Sequence, residues 1–339
     1  MTHLWTVPYG INSAGIHHHF EDSFIIGDPE NEIVRVNYDG SLQWSQSYGI
    51  TPPDDSSLGT REVVANGKLV FGGQDTLYGI DVDTGEQQWA TPIQTDVSEV
   101  RNLTTELVAF DGTAVCAMSY KTTSGDDRAG LMGVDVSTGR IEWTQTHSEI
   151  AQVDDAWLGV QSLSPPIGGR TIVGGWNVTF WLDITSGELG ETTQGGARYQ
   201  STRRGDTLYL TDYGRLFAYT IKGSTVSEQW EFEPLGRASS PPTVADDTVY
   251  VAADDTGIYA VRDGEQQWRY QAEPDVWVAP AVTTDAVWAM GDSLHCIRTD
   301  GSEAVTVSFE QPQVSYELST ANDVVFVSGS RETRAYTTQ

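Results

Sequence analysis

The sequence has little cysteine, no long hydrophobic run and little helical periodicity. Its 2 cysteines, Cys116 and Cys296, lie far apart in the 339-residue chain, which excludes a disulfide framework and a paired-cysteine metal motif. A membrane-spanning helix needs roughly 18 apolar residues in succession, and no such run is present. The first 30 residues also lack the apolar core of a signal peptide. We therefore expect a cytoplasmic protein without membrane insertion; a virion component would share these features.

Lysine is scarce as well, and the charge is strongly one-sided. The chain has 19 Lys and Arg against 48 Asp and Glu, giving a net charge of −29. Nucleic-acid backbones are bound through many lysine and arginine contacts, so we expect no nucleic-acid partner. An acidic but aromatic-rich chain is typical of folded halophilic proteins, because molar salt shortens the Debye length to ~3 Å and screens self-repulsion.

Short segments in which apolar and polar residues alternate are abundant. The clearest group of them is residues 239–271, SSPPTVADDTVYVAADDTGIYAVRDGEQQWRYQ. The segments PTVA, TVYVAA, GIYAVR and QQWRYQ are each predicted to form a β-strand. Asp263-Gly264 between the last two predicts a tight hairpin turn, because glycine takes a positive φ at little cost. This repeat is therefore predicted to be a four-stranded antiparallel sheet.

The same pattern recurs along the chain, with a tryptophan in the fourth strand of most repeats. Two repeats carry another residue at that position. The equivalent fourth-strand positions, one in each repeat, are spaced 37 to 54 residues apart. They are Trp5, Trp44, Trp89, Trp143, Glu191, Trp230, Trp268 and Val305.

The last repeat lacks its own fourth strand, and the chain opens with one. The segment HLWTVPYG, residues 3–10, has the tryptophan of a fourth strand but no repeat in front of it. Pairing it with the end of the chain would complete the last repeat and remove an open sheet edge. We predict an all-β, eight-bladed β-propeller of four-stranded antiparallel blades, a single domain over 1–339, with 1–10 as the outer strand of the last blade.

The repeated tryptophans are predicted to be structural docking residues between neighbouring blades. Burying so large a ring stabilises a fold by ~1.5–3 kcal/mol. The predicted docking residues are Trp5, Trp44, Trp89, Trp143, Trp230 and Trp268.

The segments TVYVAADDTGIYAVRDGEQQW and LVFGGQDTLYGIDVDTGEQQW resemble the tryptophan-docking repeats of the pyrroloquinoline-quinone (PQQ) family. The resemblance covers nearly the whole chain. It implies the propeller fold, and it implies one of two roles: a quinone- and calcium-binding periplasmic dehydrogenase, or a non-catalytic scaffold such as the propeller lipoprotein of the bacterial outer-membrane assembly machinery.

The sequence departs from the dehydrogenases of that family. They carry an adjacent cysteine pair over the quinone, whereas Cys116 and Cys296 are isolated, and no calcium-binding set can be matched residue by residue. We therefore predict no catalytic residue, no cofactor and no metal, and we assign the chain to the non-catalytic, halophilic type.

Two groups of residues are candidates for ligand binding. In IHHHF, strand alternation sends His17 and His19 to the same side, where they would bind a ligand, sense pH or simply line a polar channel. Around the predicted central funnel, aromatic residues beside arginines would suit a small anionic ligand or a glycan, and strand-edge packing is the alternative. These funnel residues are Arg61, Tyr199, Arg203, Trp277 and Tyr316.

Blade three is predicted to carry two extensions on one propeller face, an insertion at 120–130 and a long connection at 146–162 that contains Trp157. Such extensions either dock a partner or are tolerated surface insertions. Our interpretation is a non-catalytic binding scaffold that presents one face to a protein partner in a larger assembly. The alternatives are a carbohydrate or host-surface recognition module, including a virion-associated one, and a quinone-dependent dehydrogenase-like enzyme.

Overall fold

Antiparallel β-sheets form the regular structure of the chain in this computed structural model. Within the described residues, 33 strands assemble into eight separate sheets, here called blades one to eight in chain order. The structure describes residues 1–10, 16–28, 32–50, 62–73, 75–93, 99–103, 107–121, 127–146, 150, 160–175, 178–194, 200–212, 214–222, 225–233, 238, 240–253, 257–271, 278–291, 293–308 and 315–338.

The chain divides into two compact units of four blades each. The unit Ser13–Arg198 contains blades one to four. Their strands are β2 (Ile16–His19), β3 (Ser23–Asp28), β4 (Glu32–Asn37) and β5 (Leu42–Gln46) in blade one; β6 (Val63–Ala65), β7 (Lys68–Gly72), β8 (Thr76–Asp81) and β9 (Gln87–Pro92) in blade two; β10 (Glu99–Leu103), β11 (Val108–Phe110), β12 (Thr113–Lys121), β13 (Asp127–Asp135) and β14 (Ile141–Gln145) in blade three; and β15 (Val160–Leu163), β16 (Arg170–Gly175), β17 (Val178–Asp183) and β18 (Leu189–Gln194) in blade four.

The other unit, Met1–Asn12 together with Tyr199–Gln339, contains blades five to eight. Their strands are β19 (Gln200–Arg204), β20 (Thr207–Asp212), β21 (Arg215–Lys222) and β22 (Thr225–Phe232) in blade five; β23 (Thr243–Ala245), β24 (Thr248–Ala253), β25 (Gly257–Arg262) and β26 (Glu265–Tyr270) in blade six; β27 (Ala281–Val282), β28 (Ala286–Met290), β29 (Ser293–Arg298) and β30 (Glu303–Ser308) in blade seven; and β31 (Ser315–Ala321), β32 (Val324–Gly329), β33 (Thr333–Thr337) and β1 (Thr2–Val7) in blade eight.

The predicted fold class is confirmed: the chain is an all-β, eight-bladed propeller with four-stranded antiparallel blades. The N-terminal strand β1 pairs with β33, so the first strand of the chain completes the last blade as predicted. Blade three is the exception to the four-strand pattern, because β10 and β11 both pair with β12.

The core lies between neighbouring blades within each unit. Every residue of β24 and β28 is buried, whereas β26, an outer strand, is mostly exposed. These middle strands are buried because one face of the blade packs on the preceding blade and the other face on the following blade. Strands covered on both faces read as almost continuous apolar runs. The largest fully buried side chains are Trp288, Phe24, Phe71, Phe180 and Phe326.

The turn chemistry of blade six follows the sequence. Asp263 and Gly264 both have positive φ angles, 52° and 78°, between β25 and β26. Two consecutive positive φ values define the tight hairpin turn whose twist matches the flanking strands. The Asp-Gly pair therefore sets where the third strand ends and the fourth begins.

Blade three is longer than the sequence indicated. Part of the predicted insertion 120–130 is strand rather than loop, because β12 ends at Lys121 and β13 begins at Asp127. The added length is paired on its inner side by β10, whose residues lie opposite Met118–Lys121, while β11 lies opposite Thr113–Val115. The end of the predicted connection 146–162 is also strand, since β15 begins at Val160.

Candidate functional site

Neighbouring blades are joined by a recurring contact of the outer-strand tryptophans. In each case the indole nitrogen donates a hydrogen bond to a backbone carbonyl oxygen in the turn between the third and fourth strands of the next blade. The pairs are Trp44 with Val82 at 3.0 Å, Trp89 with Val136 at 2.9 Å, Trp143 with Ile184 at 3.0 Å, and Trp268 with Thr299 at 2.8 Å. A buried indole N–H needs such a partner, and the bond fixes the ring plane between the blades.

In blades two and three, glycine makes room for the ring on the strand that faces it. Trp89 lies opposite Gly79, and a Cβ atom added at Gly79 would meet Cε2 of that indole at 2.1 Å. In blade three, a Cβ at Gly133 would meet Cε2 of Trp143 at 2.2 Å. Real Cβ atoms do not approach so closely, so a side chain here would displace the tryptophan from its docked position.

The two remaining predicted docking residues also pack within their unit. A Cβ on Gly264 of blade six would lie 3.1 Å from Cβ of Trp230, whose ring is 5.9 Å from that of Tyr209. Trp5 is 5.8 Å from Phe326, centroid to centroid.

Blade four has its tryptophan on the third strand instead of the fourth. Trp181, two residues before the end of β17, occupies the position that Gly79 occupies in β8, and the outer strand carries Gly190. A Cβ on Gly190 would lie only 2.9 Å from Cβ of Trp181. This repeat has Glu191 at the fourth-strand position where most repeats have tryptophan, and it carries a tryptophan on the partner strand.

His17 and His19 lie together in blade one, with ring centroids 4.8 Å apart. Nδ1 of His19 is 3.1 Å from the hydroxyl of Tyr38, and that hydroxyl donates to the carbonyl oxygen of Phe20 at 2.6 Å. Burial, followed by the neighbouring His17 and His18, lowers the pKa of His19 to about 2. His19 is therefore neutral at physiological pH and donates from Nδ1 to Tyr38.

A buried arginine that the sequence analysis did not single out adjoins this cluster. Arg35, only 8% exposed, lies opposite Trp44, and its guanidinium sits 4.5 Å from the centroid of Phe20. Nη1 donates to the carbonyl oxygen of Val82 at 3.0 Å and to Asp83 at 2.7 Å. The arginine thus joins blade one to blade two beside the indole bond. Its signal is the charge in the middle of the otherwise apolar strand β4.

The funnel residues are only partly within the described structure. Arg203 is exposed on β19, and its Nε donates to the carbonyl oxygen of Gly205 at 2.6 Å. Tyr316 belongs to β31. The other predicted binding residues, Arg61, Trp157, Tyr199 and Trp277, lie outside the described residues.

A cavity of about 760 Å³ lies between blades six and seven, where the sequence analysis predicted no site. Blade six contributes Trp268, Gln267 and Arg262, and blade seven contributes Thr299 and Asp300. We call it the blade six–seven cavity. Its volume is within the range of small-molecule sites.

No group of three or more histidine, cysteine, aspartate or glutamate side chains is arranged to hold a metal ion among the residues with described positions. In the same part of the chain, no helix has the length and apolar character needed to cross a membrane.

Eight antiparallel blades, with docked tryptophans between four pairs of neighbours, are typical of a propeller of the PQQ-like class. The sequence profile described as outer membrane protein assembly factor BamB matches residues 20–170 and 175–333, so the chain belongs to this family. No curated protein matches the chain.

Solved structures with the same fold have low sequence identity to the chain. BamB from Moraxella catarrhalis is 15% identical with a TM-score of 0.72, over 100% of this chain and 98% of that one. A quinohemoprotein alcohol dehydrogenase from Comamonas testosteroni is 11% identical with a TM-score of 0.71, over 98% and 76%. The computationally designed Ika8 protein is 12% identical with a TM-score of 0.65, over 97% of both chains. Likeness at these identities establishes the fold alone.

Proposed function

We propose that the protein is a non-catalytic binding scaffold that presents one face to a protein partner within a larger assembly. Membership of a family described as an assembly factor is the observation that carries this proposal. Assembly by such a factor requires contact with other proteins. The cytoplasmic location and the halophilic origin remain predictions from the sequence.

The contacts between blades suit a scaffold. Four indole nitrogens reach carbonyl oxygens of the next blade at 2.8–3.0 Å, which fixes blades one to four, and blades six and seven, at defined positions relative to their neighbours. A rigid protein suits partner binding, because its recognition surface loses little conformational entropy when the partner binds.

The extended end of blade three is the element that we assign to the partner. β12 and β13 have nine residues each, against five or six in the corresponding strands of blade two. At about 3.3 Å per residue, three extra residues raise the hairpin by roughly 10 Å. Pairing of β10 with Met118–Lys121 supports the extension from the inner side. A supported sheet edge that rises above its surroundings is a suitable surface for a protein partner.

Shortening that hairpin tests the proposal. Met118 lies opposite Gly130, so replacing residues 119–129 with Asn-Gly joins the two strands at a paired position and leaves the standard-length blade. A matched control shortens the other long hairpin, in blade five, by replacing residues 221–226 with Asn-Gly between the paired Thr220 and Ser227.

The measurement is affinity purification from extracts of the source cells in molar KCl, with identification and quantification of co-purifying chains. The full chain and the blade five control are expected to retain the same partner in near-equal molar amounts, and the blade three variant to lose it. A lone monomer, or a partner kept equally by all three proteins, would overturn the proposal.

The dehydrogenase alternative is tested separately by titration with PQQ and calcium. A scaffold is expected to leave the absorbance spectrum of the quinone unchanged. A saturable spectral change, with alcohol-dependent reduction of a dye, would favour the enzyme instead.

A further inference from the structure

We propose that the blade six–seven cavity binds a neutral mono- or oligosaccharide. This inference goes beyond the scaffold function, because the cavity lies between other blades and is a site for a small ligand. It rests on a turn residue that is exposed where its counterparts at three other contacts are buried, on an anchored aromatic ring, and on the mixture of polar groups around that ring.

The turn that borders the cavity in blade seven differs from the corresponding turns of blades two to four. In blades two to four, an aliphatic residue begins the turn between the third and fourth strands and is buried: Val82 is 6% exposed, and Val136 and Ile184 are fully buried. In blade seven this turn is one residue shorter, and Thr299 accepts the indole hydrogen bond in their place. The side chain of Thr299 is exposed, so it does not fill the space beside the indole as the buried Val82, Val136 and Ile184 do at their contacts.

The aromatic wall of the cavity is held in place before any ligand arrives. Trp268 donates its N–H to Thr299, packs against the turn glycine Gly301, and lies 5.8 Å from Tyr250, centroid to centroid. With the N–H already used and part of the ring covered by Gly301, the surface that the ring offers a ligand is the portion of the indole that lines the cavity. The C–H faces of sugar rings pack on such a surface, and an anchored ring loses little entropy on binding.

Hydroxyl recognition requires both donors and acceptors, and the cavity lining has both. Arg262 and Gln267 supply N–H donors, while Asp246 and Asp300 supply carboxylate acceptors. Nη2 of Arg262 is fixed by a 2.8 Å hydrogen bond to the hydroxyl of Thr248. A polyol can satisfy donors and acceptors together, because each of its hydroxyl groups both donates and accepts.

Charge decides between classes of polar ligand. The charged groups of the lining are two carboxylates and one guanidinium, in a chain of net charge −29. An anionic ligand would be repelled by this excess of negative charge. A cation would be attracted by the carboxylates but would offer no acceptor to the N–H groups of Arg262 and Gln267. The hydroxyl groups of a neutral saccharide avoid the repulsion and can pair with both kinds of group.

The test is saturation-transfer NMR and calorimetry in molar KCl with glucose, galactose, mannose, N-acetylglucosamine, maltose, cellobiose and lactose. At least one of these sugars is expected to bind with a Kd of about 1 mM or tighter. Trp268→Leu should weaken that binding at least about tenfold, and Gln267→Ala should weaken it severalfold.

Two variants at other contacts between blades serve as matched controls. Trp143→Leu removes the same type of indole bond where Ile184 closes the space, and Gln88→Ala removes an amide that, like Gln267, bonds a backbone carbonyl two residues earlier. Both controls should keep the wild-type affinity. Binding of none of the seven sugars, equal loss in the controls, or unchanged binding in both cavity variants would overturn the proposal. Partner capture by blade three is expected in every variant, which separates this proposal from the scaffold function.

Discussion

The hydroxyl of Thr333 donates a 2.9 Å hydrogen bond to the carbonyl oxygen of Tyr9, a residue 324 positions earlier in the chain. A Cβ atom at the adjacent Gly10 would lie 2.1 Å from the carbonyl oxygen of Gly329, so the backbone there is packed directly against blade eight. The N-terminal segment is therefore an integral part of the last blade beyond the five residue pairs of β1 with β33.

Deletion of residues 1–10 should strongly destabilise the protein, because β33 would then have an open edge and Phe326 would lose Trp5. We expect a loss of more than about 3 kcal/mol, seen as a large fall in the Tm measured in molar KCl. Leu4→Ser is the control, since Leu4 is 45% exposed and its backbone pairing would be kept. An unchanged Tm for the deletion would show that the termini do not stabilise one another.

Gly79→Ala should destabilise by about 1–3 kcal/mol, because the new methyl group collides with the indole of Trp89. Because the collision involves only this indole, Gly79→Ala should be far less destabilising in a Trp89→Leu background. Denaturant unfolding of the two single variants and the double variant gives the coupling energy. Additive effects would mean that the ring does not dock on Gly79.

Acid should weaken the fold through His19. Its pKa is about 2 in the folded protein, so between that value and about 6.5 the unfolded state binds a proton that the folded state does not. The contribution of His19 to the free energy of unfolding is therefore complete above about pH 6.5. It falls as the pH decreases, by about 2 kcal/mol at pH 5. His19→Phe should remove this dependence in unfolding experiments at pH 7 and pH 5. The same pH dependence in both proteins would contradict the assignment.

High salt should be required for the native state. With a net charge of −29, self-repulsion is screened at molar KCl and acts over longer distances in dilute buffer. We expect cooperative unfolding in molar KCl and loss of structure in dilute buffer, followed by circular dichroism. Spectra that stay unchanged across that range would refute the halophilic interpretation.

The fold could be predicted because local signals and the repeat agree. The segments TVYVAA and GIYAVR are β24 and β25 residue for residue, since alternation and the Asp263-Gly264 turn fix both ends. In blade four the missing outer tryptophan could not be interpreted from one strand alone. Trp181 lies on the partner strand, close to Gly190, and the sequence does not show that these two residues meet.

The site was less predictable because it depends on contacts between repeats. The closeness of His17 and His19 follows from strand alternation, but the role of Arg35 depends on Val82 and Asp83 in the next blade. The blade six–seven cavity is lined from two repeats, with Trp268 on one side and Thr299 and Asp300 of the shorter blade seven turn on the other. No period or motif carries this information.

Hydrogen–deuterium exchange of residues 2–7 in molar KCl tests most directly whether the first strand completes the last blade. The amides of β1 that pair with β33 are expected to exchange as slowly as those of β33 itself, because both take part in one sheet. Exchange of residues 2–7 at the rate of an unstructured peptide, with β33 still protected, would contradict the claim that β1 is the fourth strand of blade eight.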